Sequence, residues 1–244
     1  MRYIYPLAAL LATCASGCAV YAPLTPATPI LTSPRQVEVQ AGVHTPSAVT
    51  ASVSYTPLPH LLLTATGATN LNSGDTTYFR YQHAEVGAGY YTVLDQKVYL
   101  GLLGGYGRTH SRRGYEDLDF LFTYGRGLLR YEARYNRFFA QAYLASVSER
   151  AVSWGGSLRA TALDFRRLTR NDVPVTQAGR VYLEPTAFLR IGRPTQPLQL
   201  QLSAGLSAPI NQYRQDTDDT RLTRGTLLLG AALVWRPFWQ RRVE

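Results

Sequence analysis

Few residues in this 244-residue chain have types and spacing that chemistry could use. His83 and Glu85 stand two apart, so an extended strand puts them on one face. A base beside a carboxylate is the start of a hydrolytic site, and it is also an ordinary satisfied pair. His110, Asp164 and the run Asp216, Asp218 and Asp219 supply a second base among acids, although acids in loops are usually only solvated. Arg108, Arg112, Arg113, Arg126, Arg130 and Arg134 gather in one stretch and can grip phosphates through charge-assisted hydrogen bonds. Glu116, Asp117 and Asp119 in that stretch leave a mixed, solvated loop as the alternative. Gly101, Gly104, Gly105 and Gly107 resemble a phosphate loop, but no helix follows them. They read as room for bending or for a neighbouring ring. His44, His60, His83 and His110 lack metal-ligand spacing, and neither metal nor other cofactor is expected.

Strands must position these groups. Over residues 198–208, Leu198, Leu200, Leu202, Ala204, Leu206 and Ala208 alternate with Gln199, Gln201, Ser203, Gly205 and Ser207. A period of two gives one apolar and one polar face. The same alternation recurs over 36–44, 47–55, 60–69, 79–93, 97–108, 130–148, 152–166, 180–192 and 225–238, about ten strands in all. Within 130–148 the parity is awkward. Tyr131, Ala133 and Tyr135 oppose Phe138, Ala140, Ala142 and Leu144, which predicts a bulge near Asn136 or a separate short strand.

The connections sort by length. Turns at Pro57, Asp95, Glu149 and Pro194 fall at one end of the strands. Polar loops at 70–77, 109–129, 167–179 and 209–221 fall at the other, where only Thr45-Pro46 is short. On the apolar parity Tyr55, Tyr90, Trp154 and Trp235 end strands on the short-turn side. Tyr106, with Phe79, Tyr131 and Phe165 nearby, marks the other side, giving two aromatic girdles. Short turns on one side, long loops on the other and paired girdles are the pattern of a membrane barrel. The fold class expected is therefore all-β, a closed antiparallel up-and-down transmembrane β-barrel of about ten strands. In hydrocarbon a sheet must close, because each unpaired peptide group costs several kcal/mol. The inward parity collects Glu38, Glu85, Arg159, Glu184 and Arg190 with Gln40, Lys97, Arg137, Gln141, Gln199 and Gln201, which predicts a polar, filled lumen and not a wide pore.

Residues 1–17 have secretory-signal architecture, with Arg2 ahead of an apolar run and then small residues. The string Ala15-Ser16-Gly17-Cys18 resembles a bacterial lipobox and marks Cys18 for lipidation, with Cys14 as the rival register and an ordinary cleaved signal as the alternative. Residues 18–35, with Pro23, Pro26, Pro29 and Pro34, read as an extended tether. Residues 36–239 form the barrel domain and 240–244 a basic tail. The net charge of +9 suits phosphate-bearing head groups better than nucleic acid in an exported chain.

The lipobox-like string, the YAPLTPATPIL segment after it, the SYTPLPHL turn, RFFAQAYL, and YLEPTAFLRIG followed by LQLQLSAGLS together resemble small outer-membrane β-barrel proteins of Gram-negative bacteria. The resemblance implies a bacterial outer-membrane location and a monomer. It also implies contact with outer-membrane lipids and the barrel-assembly machinery, and no reaction. Lipopolysaccharide is the expected partner of Arg108, Arg112, Arg113 and Arg126. The tail WRPFWQRRVE departs from the terminal aromatic of many such barrels. A structural, envelope-maintenance or surface-interaction role is expected, with no catalytic residue assigned. The alternative is a protease or lipid hydrolase at the outer rim. The strand number and the acids near His110 match ten-stranded outer-membrane proteases, without their local motif.

Overall fold

The structure, a computed structural model, describes residues 20–45, 47–71, 77–117, 127–147, 151–176, 179–194, 196–210 and 225–237. Cys14, Cys18, Asp119, Arg126, Asp216, Asp218, Asp219 and the basic tail lie outside the described residues. The strands are β1 (Val37–His44), β2 (Ala48–Tyr55), β3 (Leu61–Leu71), β4 (Tyr78–Leu94), β5 (Val98–Asp117), β6 (Gly127–Ser146), β7 (Val152–Arg170), β8 (Val173–Pro174), β9 (Arg180–Ile191), β10 (Leu198–Pro209) and β11 (Thr226–Trp235). Each pairs antiparallel with its neighbour, except that β9 pairs with β7 and not with β8. β1 pairs with β11 from Val39↔Trp235 to His44↔Gly230, which closes ten strands into an up-and-down barrel. β8 stands outside the circle as the return arm of a hairpin on β7, turned by Asn171 and Asp172 at φ 48 and 66.

The two faces of the wall are inverted relative to a soluble sandwich. Leu200, Leu202 and Leu229 are 38%, 41% and 44% exposed on the outside, while Gln199 and Glu184 are 5% and 0% exposed within. Among the described residues no second sheet covers the oily side, so hydrocarbon must. Exposed Tyr55, Tyr90, Trp154 and Trp235 border the apolar band at the short-turn end. At the long-loop end the border is Tyr106 and Phe138, whose rings meet at 5.3 Å on the outer face. Phe79 and Tyr131, expected in that girdle, instead point inward and are buried.

Two further expectations are corrected. The stretch 109–129, read as a long loop, is largely strand: β5 runs to Asp117 and pairs with β6 through Asp117↔Gly127. Above the apolar band both faces carry polar residues (Thr109 and Ser111 inward, His110 and Arg112 outward), so hydrophobic alternation disappears although the ladder continues. The parity clash in 130–148 is likewise no strand break. Tyr131, Ala133 and Tyr135 face the lumen on one continuous β6, and the irregularity falls in its pairing with β7. Arg134 pairs with Arg167 and Tyr135 with Phe165, leaving Arg166 as the extra residue.

Gly101 and Gly105 of β5 make room for rings. A Cβ on Gly101 would meet the Tyr143 ring directly across β6, and one on Gly105 would lie 2.6 Å from Phe139.

The lumen is not lined by strands alone. Residues 20–31 have no strand or helix and run inside the barrel. Val20, Tyr21, Ala22, Leu24, Thr28 and Leu31 are each about 1% exposed. The tether reading of 18–35 did not anticipate this burial. Near the short-turn end Ile30 and Leu31 pack with Tyr91, Tyr99 and Tyr143, while Val20 and Tyr21 pack with Tyr131, Tyr135, Leu168 and Tyr182 toward the long-loop end.

Candidate functional site

The functional side chains fall into an interior set and an exterior set, separated by strand parity. Inside, three carboxylates anchor the network. Glu38 on β1 takes two hydrogen bonds from Arg190 on β9, at 3.0 and 3.1 Å, and one from Arg236 Nε at 2.9 Å. Arg190 also donates to Gln201 Oε1 on β10 and to the Thr28 carbonyl. Glu85 on β4 takes a two-pronged pair from Arg159 on β7 at 3.0 and 2.6 Å, and Arg159 lies 3.9 Å over the Phe139 ring. Glu184 on β9 accepts from the hydroxyls of Tyr21 at 2.7 Å, Thr161 at 2.9 Å and Ser207 at 2.9 Å. The Glu38–Arg190 and Glu85–Arg159 pairs link strands three apart around the barrel and brace it across its bore, whereas the wall partners of Glu184 lie on the strands flanking β9. Buried charges of this kind persist only when paired and hydrogen-bonded.

The central segment is knit into the same network. Arg137 donates to the Ala22 carbonyl and to the Tyr21 hydroxyl, each at 3.1 Å, and its guanidinium lies 5.2 Å from the Tyr21 ring centre. Gln141 donates to the Ala27 carbonyl and Tyr143 to the Pro29 carbonyl, both at 2.8 Å. Ser111 donates to the Val20 carbonyl at 2.9 Å. Mostly, wall donors meet segment carbonyls. Arg137, Gln141 and Tyr143 are the partners the sequence did not single out as a receptor for this segment. The recurrence of proline at positions 23, 26 and 29, which removes N–H groups, was the available signal.

His83 is committed within this interior. Its two ring nitrogens lie 2.8 Å from Thr109 Oγ1 and 3.1 Å from Glu85 Oε2, and it is buried. His44 sits between the Thr45 carbonyl and the Tyr81 hydroxyl, and His60 faces the Tyr91 carbonyl. No group of three His, Cys, Asp or Glu side chains that could hold a metal occurs among the described residues.

Outside, β4 to β7 carry a basic belt above Tyr106 and Phe138. Arg108 donates to the Tyr106 hydroxyl at 2.8 Å and lies 5.8 Å from that ring's centre. Next come His110, whose Nε2 is 2.8 Å from Glu132 Oε1, then Arg112 and Arg134, 3.5 and 3.6 Å from the same carboxylate. Register places Arg80 opposite Arg112 and Arg134 opposite Arg167, like charges facing like across neighbouring strands. Asp164 pairs with the bulged Arg166 at 3.1 Å and accepts from Asn136 at 3.2 Å. Of the arginines singled out from sequence, Arg108, Arg112 and Arg134 belong to this belt. Arg113 lies 5.2 Å over the Phe79 ring instead.

A closed ten-stranded antiparallel barrel with an aromatic-bordered apolar exterior and a charged interior is a bacterial transmembrane barrel. The chain is an outer-membrane β-barrel protein. By that architecture the short turns face the periplasm and the long-loop end faces outward. No protein-family model and no curated protein matches the sequence. Among solved structures the chain is similar to the outer membrane protease OmpT of Escherichia coli, with TM-score 0.49 and 9% identity over 82% of this chain and 93% of that one. It is similar also to the translocator domain of the autotransporter NalP of Neisseria meningitidis, with TM-score 0.49 and 13% identity over 83% and 87%.

Proposed function

We propose that the chain is a non-conducting outer-membrane barrel with a structural or surface-interaction role, closed by its own residues 20–31. The observation that carries this reading is the burial of that segment against Glu184, Arg137, Gln141, Tyr143 and Arg190, side chains that would otherwise line an aqueous path. Purified protein in planar bilayers is expected to be electrically silent, and deletion of residues 20–31 to produce steps of conductance. Open channels in the intact protein would refute the reading. The rival role, a hydrolase at the outer rim, rests on His110 beside Glu132. Cleavage of peptide or lipid that is lost in His110→Ala would favour it.

The exterior belt supplies the surface interaction. Like charges directly opposite on a sheet are destabilising unless a counter-charge sits between them. Arg80 with Arg112 and Arg134 with Arg167 are such pairs, four guanidiniums among which Glu132 is a single carboxylate shared by Arg112 and Arg134. Guanidinium pairs bind phosphate by two parallel hydrogen bonds, which fits the phosphorylated sugars of lipopolysaccharide. The variant Arg112→Ala/Arg134→Ala/Arg167→Ala is expected to fold and to retain several-fold less co-purifying lipopolysaccharide. Equal retention would remove the belt from this role.

A further inference from the structure

We propose that the chain preceding Val20 leaves the barrel through the outer mouth, so that this protein displays its own N-terminal end at the cell surface. The inference rests on the closed-barrel reading above and adds a direction to the segment inside it. That direction is set by contacts. Leu31 lies with Tyr91, Tyr99 and Tyr143, close to the periplasmic turns, and Gln36 and Thr56 join the segment's end to the β2–β3 connection there. Thr28 meets Arg190 and Gln201 further in. Thr25 already lies beside Gly230 and near His44, the last residue of β1. Ala22 and Leu24 pack on Ala48, the first residue of β2, and the Val20 carbonyl is held by Ser111 in the outer part of β5. From 31 to 20 the chain therefore climbs from the periplasmic end past the β1–β2 turn.

The wall is uneven at that level. β1 stops at His44 and β2 starts at Ala48, whereas β5 continues to Asp117 and β6 begins at Gly127. Val20 itself lies against the taller side, among Ser111 of β5, Tyr131 of β6 and Leu168 of β7. A return toward the periplasm is blocked, because the bore below is filled by Tyr21, Arg137, Arg159 and Arg190, each 1% exposed or less.

The test uses the full-length precursor in a Gram-negative host, with an epitope inserted between Cys18 and Ala19. A second strain carries the epitope within residues 211–224, between the outer ends of β10 and β11, and a third carries it in the periplasmic turn after Gln196. Antibody labelling of intact cells is expected to give the N-terminal epitope a signal within about twofold of the outer-loop strain, and the periplasmic-turn strain background only. Unboiled and boiled samples of each strain must differ in gel mobility, which reports the closed barrel separately. A heat-shifting barrel whose N-terminal epitope is reached only after permeabilisation overturns this proposal and leaves the closed-barrel reading standing. A protein with no heat shift, found in the soluble fraction, overturns both. Where the epitope itself blocks folding, Ala19→Cys in a Cys14→Ser/Cys18→Ser background replaces it. Labelling of intact cells by a membrane-impermeant maleimide supports the outward path, and labelling only after permeabilisation refutes it.

Discussion

Replacing Glu38 by Gln tests whether the barrel interior is the dry medium of paired charges that its contacts imply. Glu38 is 2% exposed and stands between two guanidiniums, with Arg190 at 3.0 Å and Arg236 at 2.9 Å from the same oxygen. It joins β1, β9, the residue following β11 and the central segment, whose Ile30 N–H points to it at 3.4 Å. Glu38→Gln keeps the shape and one acceptor, yet leaves two cations facing each other without an anion. Breaking a buried pair by removing one partner typically costs about 3–5 kcal/mol, and the expected loss is of that size. The double variant Glu38→Gln/Arg236→Leu also removes one of the stranded charges. It is expected to be more stable than the sum of the two single effects predicts, with a coupling of about 1–3 kcal/mol. The assay is a urea titration of protein folded in detergent, read from the gel mobility of the closed barrel. A loss under about 1 kcal/mol in Glu38→Gln, with additive behaviour in the double variant, would mean that water reaches and screens the cluster. The filled-lumen argument would then fail.

Two other perturbations separate the faces of the wall. Leu200→Arg puts a charge on the lipid side, where the cost is about 2–4 kcal/mol at mid-bilayer depth, and the same urea titration measures it. An unchanged midpoint would mean that this face is not against hydrocarbon. Gly101→Ala drives a methyl into the Tyr143 ring, which must swing away and release the Pro29 carbonyl. A loss of about 1–3 kcal/mol is expected, together with brief channel openings in planar bilayers as the segment loosens. Wild-type stability with silent bilayers would show that the ring is not what holds Pro29.

Much of the wall was legible because its two faces meet two solvents. Wherever one face met lipid and the other the lumen, as in Leu198–Pro209, alternation gave strand, register and orientation together. Above the membrane that contrast fades. Arg112 is exposed to water and Ser111 to the polar lumen, so 109–117 carries no hydrophobic period although β5 pairs continuously through it. The tyrosines at 131 and 135 misled for a related reason. An amphipathic ring suits a membrane girdle and a crowded lumen equally, and only the partner, here Tyr21 at 6.3 Å from Tyr135, decides between them. The like-charged pairs Arg80↔Arg112 and Arg134↔Arg167 could not be read at all, since each depends on the pairing register of two strands.

The segment inside the bore explains a feature of the lumen that the wall alone does not. Among the described residues, buried Glu38, Glu85 and Glu184 stand against buried Arg137, Arg159, Arg180, Arg190 and Arg236, two more cations than anions. Such a surplus would be costly in a barrel closed only by side chains. Proline at 23, 26 and 29 turns the segment into a row of acceptors with few donors, and the carbonyls of Ala22, Ala27, Thr28 and Pro29 take hydrogen bonds from Arg137, Gln141, Arg190 and Tyr143. Arg137 is the sharpest case: both of its terminal nitrogens serve residues 21 and 22, and its face is covered by the Tyr21 ring. Withdrawal of the segment would therefore leave a buried cation without its partners. On this account the segment and the barrel fold as one unit, and a segment that exchanged freely with solvent would need a lumen with its acids and arginines in balance.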